Sequence, residues 1–283
     1  MTLASVLIRT CRTRTGAAGL LLLVAMSITA AAAIAFGSDP LDQNLRNRLV
    51  APGVGHLLGT DQLGRDLLVR ISYAFRASLG VAVSVALISG VMGAAIGLIS
   101  GYLGGRPDAV VQRAIDALMA LPLLVMALAV VAAAGPSPFG VTVALSLAFL
   151  PLSVRVARAS ALTLRSAGYV ESARAMGAST TEVIRRHLLP NAAGPWVVIL
   201  AAQAGGALLA EASLSFLGVG AHGAGSLGSM LGRDAQVYMH SSPWLVIWPG
   251  AALAILTMAF NLLGDGLTSA LTPYRGGVVR QSR

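Results

Sequence analysis

Long apolar runs separated by short polar stretches dominate the chain. Six runs, Gly16–Phe36, Leu79–Tyr102, Ala117–Ala134, Phe139–Val156, Pro195–Leu217 and Trp244–Leu263, each hold 18–24 residues. A helix crosses the hydrocarbon core with about 20 apolar residues, so the pattern predicts six transmembrane helices. The third run contains Pro122, which a membrane helix tolerates where its neighbours satisfy the freed carbonyl. The second places Gly93, Gly97, Gly101 and Gly105 at successive steps of four. Such a stripe lets another helix approach closely, while the last two glycines also fit a loop. The first run follows Arg9, Arg12 and Arg14 and ends near Ala31–Ala33, in the manner of a secretory signal. It exceeds the usual signal core of about 7–15 residues, and five more runs follow, so it is expected to stay as an anchor.

The polar connections carry the charge. Of 283 residues, 56% are hydrophobic and 11% charged, less than half the roughly 25% charged load of an ordinary soluble domain. All 20 basic residues are arginine. Without lysine, the chain has no phosphate-binding P-loop lysine, no Schiff-base lysine and no lysine general base. Any ATP hydrolysis that drives it belongs to another chain, and the chain is read as a non-enzyme. Cys11 is the sole cysteine, which excludes an internal disulfide and a cysteine metal cluster. His56, His187, His222 and His240 are scattered with no pair four apart, so no metal site is expected. The net charge of +9 does not point to nucleic acid, because the arginines lie mostly between the apolar runs. With the N-terminus in the cytoplasm, fourteen arginines fall on the cytoplasmic side and six outside. That asymmetry places both termini in the cytoplasm.

One polar connection stands apart. Tyr169–Asn191, YVESARAMGASTTEVIRRHLLPN, predicts a short helix over Tyr169–Met176 and a stop at Gly177 in the left-handed conformation. Ser179 and Glu182 have the spacing of a capping box opening a second helix. The first helix is too short to be stable alone. From the residues alone two readings stand. The helix lies on the headgroups, with Arg174, Arg185 and Arg186 near anionic lipid, or it fills a groove on a partner.

The same stretch, with Glu171, Ala173 and Gly177 followed by Leu189 and Pro190, resembles the coupling loop of ABC-importer permeases. His56–Arg70 (HLLGTDQLGRDLLVR) is similar to the segment after the first span in C-type subunits of dipeptide, oligopeptide and nickel importers. Gly101–Asp108 (GYLGGRPD), Leu214–Gly220 (LSFLGVG), Pro243–Gly250 and Asn261–Gly266 extend the match over nearly the whole chain. Ser172 stands in place of alanine at the second position of the family's EAA trio, and the loop after Gly220 lacks the proline-rich sequence often found there. The resemblance implies an all-α ABC type I importer membrane domain with six transmembrane helices and a cytoplasmic coupling helix. It implies a bacterial inner-membrane location, a second permease subunit as heterodimer partner, two ATPase subunits that bind ATP and Mg, and an external solute-binding protein. No cofactor is expected in this chain. The expected organisation is residues 1–78 (tail, first helix and outer loop), 79–272 (a five-helix core with the coupling loop at 169–191) and 273–283 (cytoplasmic tail).

Within that frame Glu171 and Gly177 are expected to shape the coupling helix. Ala173 and Met176 are expected to pack against the ATPase, with Tyr169 and Arg174 on the same element. Glu211, inside the fifth run, is a candidate for the translocation path, because a carboxylate there is costly. The alternative is a structural hydrogen bond to serine or threonine. Asp116 is expected to open the third helix. Di- or oligopeptide is the expected cargo. Nickel or another small solute, and a proton-coupled transporter relying on Glu211, are the competing readings.

Overall fold

The computed structural model describes residues 10–35, 39–220 and 225–271, and the described residues form helices without strands. Expectations about Arg9, His222 and the tail at 273–283 lie outside them, as does most of the loop after Gly220. Five helices are long and apolar enough to span a bilayer: α1 (Arg14–Ala35), α2 (Leu67–Leu103), α5 (Pro138–Leu164), α8 (Leu189–Phe216) and α11 (Trp244–Leu271). Shorter helices connect them. These are α3 (Gly105–Met119), α4 (Leu123–Ala134), α6 (Gly168–Ala175), α7 (Thr180–Val183), α9 (Leu227–Met230) and α10 (Arg233–Tyr238).

The third expected span is not one rod. α3 and α4 meet at 91° across Ala120–Pro122, so Ala117–Ala134 is a broken span. Pro122 supplies no N–H and disfavours helical backbone at Leu121. α3 itself carries Arg106, Asp108, Gln112, Arg113 and Asp116 at helical spacing, a pattern that keeps one face polar. Asp116 therefore lies in the last turn of α3 and opens nothing; its carboxylate meets Arg155 at 2.8 Å.

α2 starts twelve residues before the apolar run, at Leu67, where Asp66 accepts from the backbone N–H groups of Leu68 and Val69. The expected boundary between residues 78 and 79 thus cuts through a continuous helix. Arg70, Ser72, Tyr73 and Arg76 hide these first turns from a hydropathy count.

The helices pack through small residues. A Cβ at Gly93 or Gly97 would overlap the backbone of Ser153 or Val154 on α5, and one at Gly101 would lie 2.9 Å from the Arg158 carbonyl oxygen. Gly105 meets nothing and turns the chain at φ +59°. α1 lies along α11, with Gly19 against Ala259 and Gly16 against Gly266.

Among the described residues two larger apolar cores result, beside a small one around Ile115, Leu150 and Val154. One, around Leu145, Leu208, Leu214 and Leu256, fills the half of the bundle facing the 39–66 loop. The other, around Leu98, Ala157, Val170 and Leu188, fills the half facing α6. Between them Gln203, 1% exposed, bonds Ser89, Ser153 and the Phe149 carbonyl. That joins α2, α5 and α8.

The 39–66 loop is fixed at the bundle end opposite α6. Asp61 is fully buried and receives Arg65 Nε at 2.6 Å, Arg70 and the backbone N–H groups of Leu63 and Arg65. Trp244 Nε1 donates to the Thr60 carbonyl at 3.1 Å, tying the loop to α11. His56 Nδ1 meets Asp66 Oδ2 at 2.8 Å.

Candidate functional site

The α6 elbow protrudes at the other end. α5 stops at Arg165, Ala167 precedes α6, and Gly177 ends it at φ +89°. The Gly177 and Ala178 N–H groups bond the carbonyls of Arg174 and Ala173, closing the helix through the left-handed residue that the sequence predicts. Glu171 stands in the first turn, where the helix dipole favours a negative charge.

Only half of the capping box forms. Ser179 Oγ accepts from the Glu182 N–H at 3.3 Å, while the Glu182 carboxylate turns to Arg186, 2.5 Å away. The chain then makes a π-helical turn, Ile184–Leu188, before α8. Val183 and Leu188, five residues apart, are both fully buried. An i→i+5 turn stacks such positions on one face, and Asn191 Nδ2 takes up the His187 carbonyl.

The faces of α6 are sharply divided. Val170 is buried in the core with Tyr102, Ala161 and Leu188, and Ala173 is buried on the same side of the helix. Met176 is 83% exposed and Tyr169 44%; Glu171 is exposed as well. Ala173 thus faces this chain's own core, contrary to the expected outward contact, because it shares a helical face with Val170. Arg174 points back at α2: its Nε donates to Tyr102 Oη at 2.9 Å, with Cζ 4.7 Å from the ring centroid. Tyr169 is tilted against His187 with ring centres 6.1 Å apart.

Glu211 lies elsewhere, in the half of α8 near the 39–66 loop. It is 2% exposed. Ser78 and Ser215 hydroxyls donate to its two oxygens at 3.0 and 2.6 Å. The Ser78 oxygen also receives the Leu227 N–H, so the carboxylate holds α2, α8 and α9 together. Among the described residues no group of three His, Cys, Asp or Glu side chains could hold a metal ion.

Residues 93–275 match the family described as binding-protein-dependent transport system inner membrane component. The chain belongs to this family. A putative peptide transport system permease protein of Brucella suis biovar 1 is 42% identical over 259 residues, covering 90% of this chain and 85% of that protein. A probable D,D-dipeptide transport system permease protein of Escherichia coli is 36% identical, covering 84% and 80%. Among solved structures, the inward-facing MetNI methionine ABC transporter superimposes with a TM-score of 0.60 at 18% identity. It covers 72% of this chain and 97% of that one, a likeness of fold. This transport component is accordingly a multi-pass membrane protein with an all-helical fold.

The sequence reading missed the partner of Arg174. Tyr102 lies 72 positions away, and the GYLGGRPD motif that contains it names neither the elbow nor an arginine. The excess of arginine near the ends of α5 and in α6 was the only signal, and it reads equally as a membrane-orientation signal.

Proposed function

We propose that this chain is one of two permease subunits of an ATP-driven importer of di- or oligopeptides. The exposed edge of α6 docks in a groove of an ATPase subunit. What carries the reading is the division of faces on α6. A helix of 8 residues, anchored by Val170 and Ala173, turns Tyr169, Glu171 and Met176 outward, where the described residues leave Met176 83% exposed. The relatives' names, at 36–42% identity over most of the chain, support the peptide cargo.

In this scheme both termini and α6 face the cytoplasm, a reading that the arginine distribution supports. The 39–66 loop faces an external binding protein that delivers the peptide. ATP and Mg bind on two partner ATPases, which supply the hydrolytic chemistry. Closure of the ATPase pair moves α6, and the bundle rocks as a rigid body between inward-open and outward-open arrangements. Glu171 and Gly177 set the shape of the docking helix and Met176 is the apolar contact.

The test is capture and transport. A cysteine in place of Met176, with Cys11→Ser, should cross-link to copurifying ATPase subunits. Vesicles containing the complex and loaded with ATP should accumulate isotope-labelled peptides from a casein digest when the binding protein is added. Failure to cross-link from any exposed position of α6 would remove the docking assignment.

A further inference from the structure

We infer that the junction of α2 and α3, and above all Tyr102 in the last turn of α2, is the receiving half of the coupling device: a positioning element that carries load between α6 and α2. This rests on the coupling role proposed for α6.

Three arginines lie on successive pieces of the chain that form the elbow: Arg158 near the end of α5, Arg165 at its C-cap and Arg174 on α6. All three are received by the eight residues Gly101–Asp108. Asp108, 6% exposed, takes Arg158 Nε at 2.7 Å and its second nitrogen at 2.6 Å. This is a two-point fork that fixes orientation as well as distance. The Gly101 carbonyl accepts from Arg165 at 3.3 Å. Gly104, at φ +65°, leaves the space that the Arg165 guanidinium occupies, since a Cβ there would stand 2.8 Å from it.

Tyr102 differs from the other two receivers because its arginine sits on the docking helix itself. Tyr102 is 7% exposed and belongs to the apolar core that also buries Val170. Its hydroxyl and its π face both hold one guanidinium. A planar cation held in two ways has one favoured orientation. α6 therefore cannot slide along α2 without breaking both contacts, and a push on Met176 or Glu171 reaches the 37-residue α2 directly, as well as through α5 and α8.

Tyr102→Phe keeps the ring and removes the hydroxyl, so the helix stays in place with one contact fewer. The whole complex, in vesicles with its ATPases and binding protein, is compared for ATP hydrolysed per labelled casein-digest peptide accumulated. Losing a hydrogen bond to a charged group is expected to raise that ratio roughly 10-fold, with ATPase copurification unchanged. Arg174→Gln should raise it similarly, and the double variant should do no worse than either single one. A purely structural role would reduce the amount of inserted protein and leave the ratio unmoved; that result overturns the inference. So does an additive double variant. If wild-type vesicles accumulate nothing with ATP, the importer reading itself falls, which is a separate and recognisable outcome.

Discussion

Gln203 Nε2 and Ser153 Oγ lie 2.9 Å apart where α8 crosses α5, on the boundary between the two apolar cores. The side chain also meets Ser89 on α2 at 3.1 Å, so one buried carboxamide latches three helices. Gln203→Leu is expected to lower stability by about 0.6–1.7 kcal/mol, the scale of hydrogen bonds between membrane helices. The loss stays modest because the Ser89 hydroxyl already bonds the Val85 carbonyl. Thermal unfolding of the detergent-purified complex measures it.

Glu211 provides a sharper choice between transport and scaffolding. Both of its oxygens are occupied by serine hydroxyls, and Glu211→Gln keeps an acceptor for one of them. Uptake by this variant should stay within about twofold of wild type, since its net cost is that of one altered hydrogen bond. Glu211→Leu should lose folded protein. Uptake abolished by Gln with normal abundance would restore the carboxylate to the path or to a proton relay.

Gly177 has open space around the position of a missing Cβ, so its restriction is one of backbone conformation alone. Holding an L-residue left-handed costs about 1–2 kcal/mol, and a β-branched one sits at the upper end. Gly177→Val should leave insertion and abundance normal on immunoblots while uptake falls roughly 10-fold. Gly177→Asn should fall between, because asparagine visits this conformation more readily. Normal uptake by the valine variant would mean that the turn does not shape the docking helix.

At the opposite end, Asp61 is a buried carboxylate serving two arginines and two backbone donors. Asp61→Asn removes the charge and leaves Arg65 and Arg70 facing each other across a neutral amide. Breaking such a buried pair costs about 3 kcal/mol. Limited trypsin digestion of the purified complex should then cut faster after Arg65 and Arg70. An unchanged cleavage rate would show that Trp244 and Thr60 hold the loop by themselves.

Much of this architecture is written in the order of residues. Apolar runs located every long helix, and Gly177 located the end of α6, because both depend on local properties. Misreadings came where one residue answers to a distant one. α5 runs on past Val156 to Leu164 because Arg155 and Arg158 find Asp116 and Asp108 on α3, so charges that look like a stop are neutralised. α2 begins early because Asp66 caps it, in a stretch too polar to count as a span. On α6, the pairing of Val170 with Ala173 at a spacing of three was available from the sequence. The family resemblance points to the alanine as an outward contact, whereas its helical face turns it inward. The link from Tyr102 to Arg174 had no local signature.

The wide turn at Ile184–Leu188 makes chain length negotiable at one place. Val183 and Leu188 both point inward only because an extra residue is accommodated there. Deleting one residue between them would return the segment to ordinary α winding with both side chains still on the inner face, four apart. The same deletion within Leu189–Phe216 would rotate everything beyond it by about 100°. Insertions and deletions that reach this part of the chain therefore have a single tolerant address, between the docking elbow and the membrane, where the phase of the long helix can be reset without rebuilding its contacts.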